Sequence, residues 1–105
     1  MIQVNEESRS GWCILAVSGR ADAEAAEDLE NRLRGAVERH SQVAADFTAL
    51  DYISSAGLRA VLQAARAAEQ RGVRFAVCSP SAGVRRVFDI SGLDQVLTIQ
   101  GELPC

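Results

Sequence analysis

At 105 residues the chain fits one compact domain with a single core. An apolar share of 48% and a charged share of 24% are those of an ordinary folded protein and exclude a disordered tail or a fibrous repeat. The net charge is −3, Lys is absent and the two signs are interspersed, which excludes the basic stripe of a nucleic-acid binder.

Ile2 and Val4 alternate with polar neighbours and predict a short half-buried strand. Ser8 to Gly11 is a turn, and the apolar run Trp12 to Val17 is a second strand, so the two form a hairpin. Ser18 and Gly19 break it. Ala23 to Arg39 carries Leu29, Leu33, Ala36 and Val37 at helical spacing, with Asp22 as the expected N-cap. Acidic residues crowd the first half of this helix and Arg the second, which suits the helix dipole.

Val43 to Phe47 reads as a buried strand and Ala49 to Ile53 as a connection. Ser54 and Ser55 then open a second helix, whose Leu58, Val61, Leu62, Ala65 and Ala68 share one face. It runs to about Arg71, and Gly72 ends it. Val73 to Cys78 predicts a strand from its Val and Phe content. Ser79-Pro80-Ser81 punctuates. Val84, Val87, Phe88 and Ile90 mark a short third helix ending near Gly92, and Val96 to Ile99 is a last strand. The segment 101–105 is expected to be a frayed tail. The order β-β-α-β-α-β-α-β predicts an α/β domain over residues 1–105, with a mixed sheet of about five strands and helical crossovers.

Enzyme signatures are missing. His40 is the single histidine, no GxSxG elbow is present, and neither GxGxxG nor GxxxxGK[ST] occurs. His40 follows a helix and reads as a solvated residue near its C-terminus. Cys13, Cys78 and Cys105 form no CxxC pair, so spacing predicts no metal site. Cys13 and Cys78 read as small buried hydrophobes in a reducing compartment. No stretch approaches the roughly 20 apolar residues that span a bilayer. The N-terminus lacks the charged and apolar regions of a secretory signal, so the expected location is cytoplasmic. Nothing in the sequence demands a dimer.

The chemically suggestive segment runs from Asp46 through Tyr52, Ser54, Ser55, Ala56 and Gly57 to Arg59. Read structurally, one serine caps the helix, the other is merely small and polar, and Gly57 serves packing. Read functionally, a hydroxyl at a helix start is open to phosphorylation. A phosphoryl group of about −1.5 to −2 charges would be held by unpaired N–H groups there. The fold would stay put while the surface potential changes, and a partner packed on that surface would be repelled. Small Ala56 and Gly57 would let a partner's backbone approach closely.

The segment Asp46 to Leu62 resembles the central strand, loop and signature helix start of the STAS family, especially bacterial anti-sigma factor antagonists. Val17-Ser18-Gly19-Arg20 is similar to the family's second strand and the bend after it. The stretch Cys78-Ser79-Pro80 through Val84-Arg85-Arg86-Val87-Phe88-Asp89-Ile90-Ser91-Gly92-Leu93 is similar to its later strand and short helix. These cover nearly the whole chain in order. The resemblance implies a partner-switching module that is a substrate and regulator rather than an enzyme. An anti-sigma factor that is also a serine kinase would bind the unphosphorylated form, phosphorylate it with ATP and Mg²⁺, and release it. A PP2C-type phosphatase would reset it. The antagonist itself would need no cofactor. The regulated output would be transcription or, as in some members, type III secretion.

Many members read Asp-Ser-Ser-Gly, with the modified serine directly before the glycine. Here Ala56 stands in that place and Ser54 in the acidic one. A subset with Ser-Ser-Ala-Gly-Leu-Arg uses the second serine, which makes Ser55 the expected phosphorylation site and Ser54 the alternate. The resemblance implies a partner surface of Asp46, Tyr52, Ser54, Ser55, Ala56, Gly57 and Arg59. Two other readings stay open at this point. One is a STAS subunit of a transport ATPase that is never phosphorylated. The other is a small hydrolase pairing Ser55 with His40.

Overall fold

The computed structural model describes residues 1–92 and 98–100. Strand β1 (Ile2–Arg9) and strand β2 (Trp12–Ala21) form the expected antiparallel hairpin, with Ile2 opposite Gly19 and Arg9 opposite Trp12. Helix α1 (Ala26–Arg39), strand β3 (Gln42–Asp46), strand β4 (Leu50–Ile53), helix α2 (Ser55–Arg71), strand β5 (Arg74–Cys78), helix α3 (Ala82–Ser91) and strand β6 (Ile99–Gln100) follow. The sheet runs β1-β2-β3-β5-β6. Every pairing after the hairpin is parallel, so the sheet is mixed as the helical crossovers require.

Strand β4 is the departure from the sequence reading, which took residues 49–53 as a connection. Among the described residues it pairs with β2 alone, on the side where β3 pairs lower down. Cys13 to Ala16 of β2 match Val43 to Asp46, whereas Gly19 to Ala21 match Leu50 to Ile53 across an irregularity at Gly19/Arg20. Gly19 is required at this fork. Its φ is +96°, and a Cβ there would lie 2.5 Å from the Met1 carbonyl oxygen. The expected last strand falls partly in residues 93–97, which lie outside the described residues, as does the tail 101–105.

Helix α1 starts later than its sequence pattern suggests. Asp22 does not cap the helix itself. Its carboxylate and its carbonyl both accept from the Ala25 N–H, closing a turn that precedes the helix. Asp22 therefore acts three residues ahead of the N-cap, Ala25.

One face of the sheet carries the main core. Cys13, Leu15, Val17, Val43, Ala45 and Val77 meet Leu29, Leu33, Ala36 and Val37 of α1 and Leu58, Val61, Ala64 and Ala68 of α2. Phe88 of α3 joins them, its ring stacked near Phe47 at 6.4 Å between centroids. The intervening strand residues Ile14, Ala44, Ala76 and Cys78 point to the other face, where Trp12 packs. No helix among the described residues is long and apolar enough to cross a membrane.

Candidate functional site

The start of α2 is fixed from below by β2. The Ser54 backbone N–H donates to the Ala21 carbonyl at 2.9 Å, and the Ser54 hydroxyl donates to the same oxygen at 3.0 Å. The Ser54 Oγ also accepts from the Gly57 N–H at 3.1 Å, which makes Ser54 the N-cap. Gly57 is buried against this anchor. A Cβ on it would come within 2.7 Å of the Ala21 carbonyl oxygen and 2.8 Å of Ile53 Cγ1. The small residue thus lets the helix start sit directly on the strand end.

Ser55 is the first helical residue and is exposed. Its position leaves its own N–H among the orphan donors of the first turn. That turn contains no acidic residue, so no side-chain anion in it opposes a negative group. Ala56 is half-buried beside it. Arg59 lies one turn further on, at the i+4 position that shares a helix face with Ser55, and is exposed. Tyr52 leads into the helix from β4 with 40% of its surface exposed, and the Arg20 guanidinium sits 4.3 Å from its ring centre. The sequence places Arg20 at the bend after the second strand and gives it no role at the site. Its contact with Tyr52 follows from the β2–β4 pairing, where the two residues are partners.

Tyr52, Ser54, Ser55, Ala56, Gly57 and Arg59 therefore gather at one corner of the domain. Asp46 ends β3 as expected, but its carboxylate turns onto its own loop. Oδ1 accepts from the Thr48 N–H at 3.1 Å and the Thr48 hydroxyl at 2.6 Å. Asp46 and Thr48 line a recess of about 150 Å³ with Asn5 and Ser18, and β4 stands between this recess and α2 in the chain.

Glu6, Cys13 and His40 come together at the other end of β2, beside the C-terminus of α1. The Arg39 guanidinium donates to both Glu6 oxygens, at 2.9 and 3.3 Å, and holds that carboxyl below its usual range. His40 Nε2 lies 3.5 Å from Glu6 Oε2. This location removes the Ser55–His40 pairing. Glu6 is opposite Leu15, while the α2 start is tied to Ala21, and that span of strand is roughly 20 Å at about 3.3 Å per residue.

The STAS domain family model matches residues 3–103. BtrV, a Bordetella bronchiseptica protein assigned as an anti-sigma factor antagonist, is 37% identical over 90 residues, 85% of this chain and 78% of that protein. The fold is similar to a crystal structure of an anti-sigma factor antagonist from Mycobacterium paratuberculosis, with a TM-score of 0.85 at 24% identity over 98% of this chain and 88% of that one. It is also similar to the Bacillus cell fate determinant SpoIIAA in its phosphorylated form. There the TM-score is 0.70 at 23% identity, over 97% of this chain and 93% of that one.

Proposed function

Because the chain belongs to the STAS domain family, we propose that it is an anti-sigma factor antagonist working by partner switching, with Ser55 as its phosphorylation site. Unphosphorylated, it binds an anti-sigma factor that is also a serine kinase, through the corner of Tyr52, Ser54 to Ala56 and Arg59, with the buried Gly57 beneath it and Asp46 at its margin. The kinase transfers a phosphoryl group from ATP, with Mg²⁺, and lets go. A PP2C-type phosphatase restores the free hydroxyl. The chain acts in the cytoplasm as substrate and regulator, and the switch at Ser55 needs no cofactor of its own.

The observation that carries this reading is the division of labour between the two serines. The Ser54 oxygen is engaged twice inside the fold, whereas Ser55 faces solvent one residue later. A phosphoryl group on Ser55 meets orphan N–H groups and the positive end of the helix dipole, so the helix accommodates it. Arg59, one turn on, is a second source of positive charge. A bound partner would have to desolvate the dianion. A penalty of a few kcal/mol weakens binding on the order of 100-fold, enough for release.

Phosphate-affinity electrophoresis after incubation with the cognate kinase and ATP tests the assignment. The wild type and Ser54→Ala should give one shifted band, and Ser55→Ala none. Ser54→Ala should lower stability by about 1 kcal/mol through loss of the cap while keeping the shift. A shift lost in Ser54→Ala alone would move the site, and no shift with any form would support an unmodified structural subunit instead. Ser55→Asp should weaken kinase binding in calorimetry only partly, because a carboxylate carries less charge than a phosphate. Wild-type affinity in Ser55→Asp would remove the electrostatic mechanism.

A further inference from the structure

We propose that Glu6, Cys13 and His40 form a binding site for one thiophilic divalent cation of the zinc class, at the end of the sheet away from Ser55. The three residues come from β1, β2 and the end of α1, so no linear motif announces them. Their carboxylate oxygen, thiol sulfur and ring nitrogen all lie within 4.8 Å of one another, the one such group of three donors among the described residues.

The donor set is one that zinc accepts. Zinc takes sulfur, imidazole nitrogen and carboxylate oxygen at about 2.0–2.3 Å in a tetrahedron, which sets neighbouring donors roughly 3.5 Å apart. His40 Nε2 and Glu6 Oε2 are already 3.5 Å apart. The remaining donor separations are at most 4.8 Å, so they need to shrink by up to about 1.3 Å. His40 Nε2 is shielded from solvent and makes no hydrogen bond among the described residues, with Glu6 Oε2 3.5 Å away, so this buried polar atom is incompletely satisfied. A bound cation would satisfy it. Three protein ligands leave a fourth position for water. The side chains of His40 and Glu6 are 31% and 38% exposed, which opens a path from solvent.

The charges also fit. Glu6 can offer Oε2 to the metal while Oε1 keeps its 2.9 Å bond from Arg39. Cys13 is a buried thiol whose ionisation is opposed by burial and by the nearby Glu6 charge. Binding therefore breaks the Cys13 S–H bond, forms the S–metal bond and releases one proton to solvent. The carboxylate and thiolate together balance the dication. The titratable and charged neighbours that set this balance are Glu6 on β1 and Arg39 and His40 at the end of α1.

The test uses the full chain carrying Cys105→Ser, which removes the terminal thiol, with Co²⁺ and Zn²⁺ as probes. One Co²⁺ per chain should bind with a near-ultraviolet thiolate-to-cobalt charge-transfer band, Zn²⁺ should displace it, and saturating Zn²⁺ should raise Tm by several degrees. Cys13→Ala should lose the band. His40→Gln and Glu6→Gln, at partly exposed positions, should each weaken Zn²⁺ binding at least tenfold in competition with a chromophoric chelator. Those two variants carry the test if Cys13→Ala does not fold. A folded Cys105→Ser chain with no charge-transfer band overturns the site, as does a band that survives in Cys13→Ala. Wild-type Zn²⁺ affinity in both His40→Gln and Glu6→Gln overturns it equally.

Discussion

Glu6 keeps its negative charge into acid because the Arg39 guanidinium hydrogen-bonds its carboxylate and adds a favourable charge, with a smaller contribution from His40. A carboxyl whose folded-state pKa is lowered stabilises the fold fully above its ordinary value of 4.5. That contribution fades as pH falls through the lowered value. The stability gap between wild type and Glu6→Gln should therefore be constant near neutrality and close in strong acid, as urea midpoints at pH 7 and pH 3 would reveal. The gap should be small, since the two side chains are 38% and 56% exposed and solvent screens the pair. A gap that widens in acid would contradict the pairing. The two serines show how far single residues could be read from sequence. Both were recognisable as helix-start hydroxyls, yet their different surroundings come from the carbonyl of Ala21, distant in sequence. Spacing within Ser54-Ser55-Ala56-Gly57 carries no trace of that contact, and the same holds for Glu6 meeting His40.

At the level of elements, two helical glycines should respond oppositely to alanine. Gly35 in α1 has open space where a Cβ would go, so Gly35→Ala should gain up to about 1 kcal/mol from helix propensity. Gly57→Ala gains the same propensity but drives a methyl against the Ala21 carbonyl and Ile53. That carbonyl is held by two bonds from Ser54, so relief means lifting α2 from β2. Overpacking of this kind costs about 1–3 kcal/mol and outweighs the gain. Chemical denaturation should rank Gly35→Ala above wild type and Gly57→Ala below it. Equal stabilities for the two would mean that α2 is not seated as described. The helices were legible because their apolar residues keep a period of 3.6, and the hairpin because the alternating Ile2 and Val4 and the continuous apolar run Trp12 to Val17 flank a turn ending in Gly11. Strand β4 was not, since its buried Leu50 and Ile53 are separated by two exposed residues and match neither period. Its strand character comes from pairing with β2 beyond the Gly19 fork.

Across the whole molecule, β2 is the common support. It pairs with β1 along its length, with β3 at its lower half and with β4 at its upper half. The mixed α/β order followed from alternating strand and helix signals, whereas the fork needs three-dimensional register and could not be read from one dimension. The anchoring of the α2 start to Ala21 has a kinetic consequence. The Ser54 amide proton ends on β2, so it can exchange with deuterium only when the helix start lifts away from that strand. Its protection factor should approach those of the β2 amides rather than those of a fraying helix end. A fast-exchanging Ser54 amide beside slow β2 amides would show that the corner breathes on its own. Slow exchange would mean that an enzyme acting on Ser55 meets a rigid platform and must shape itself to the substrate.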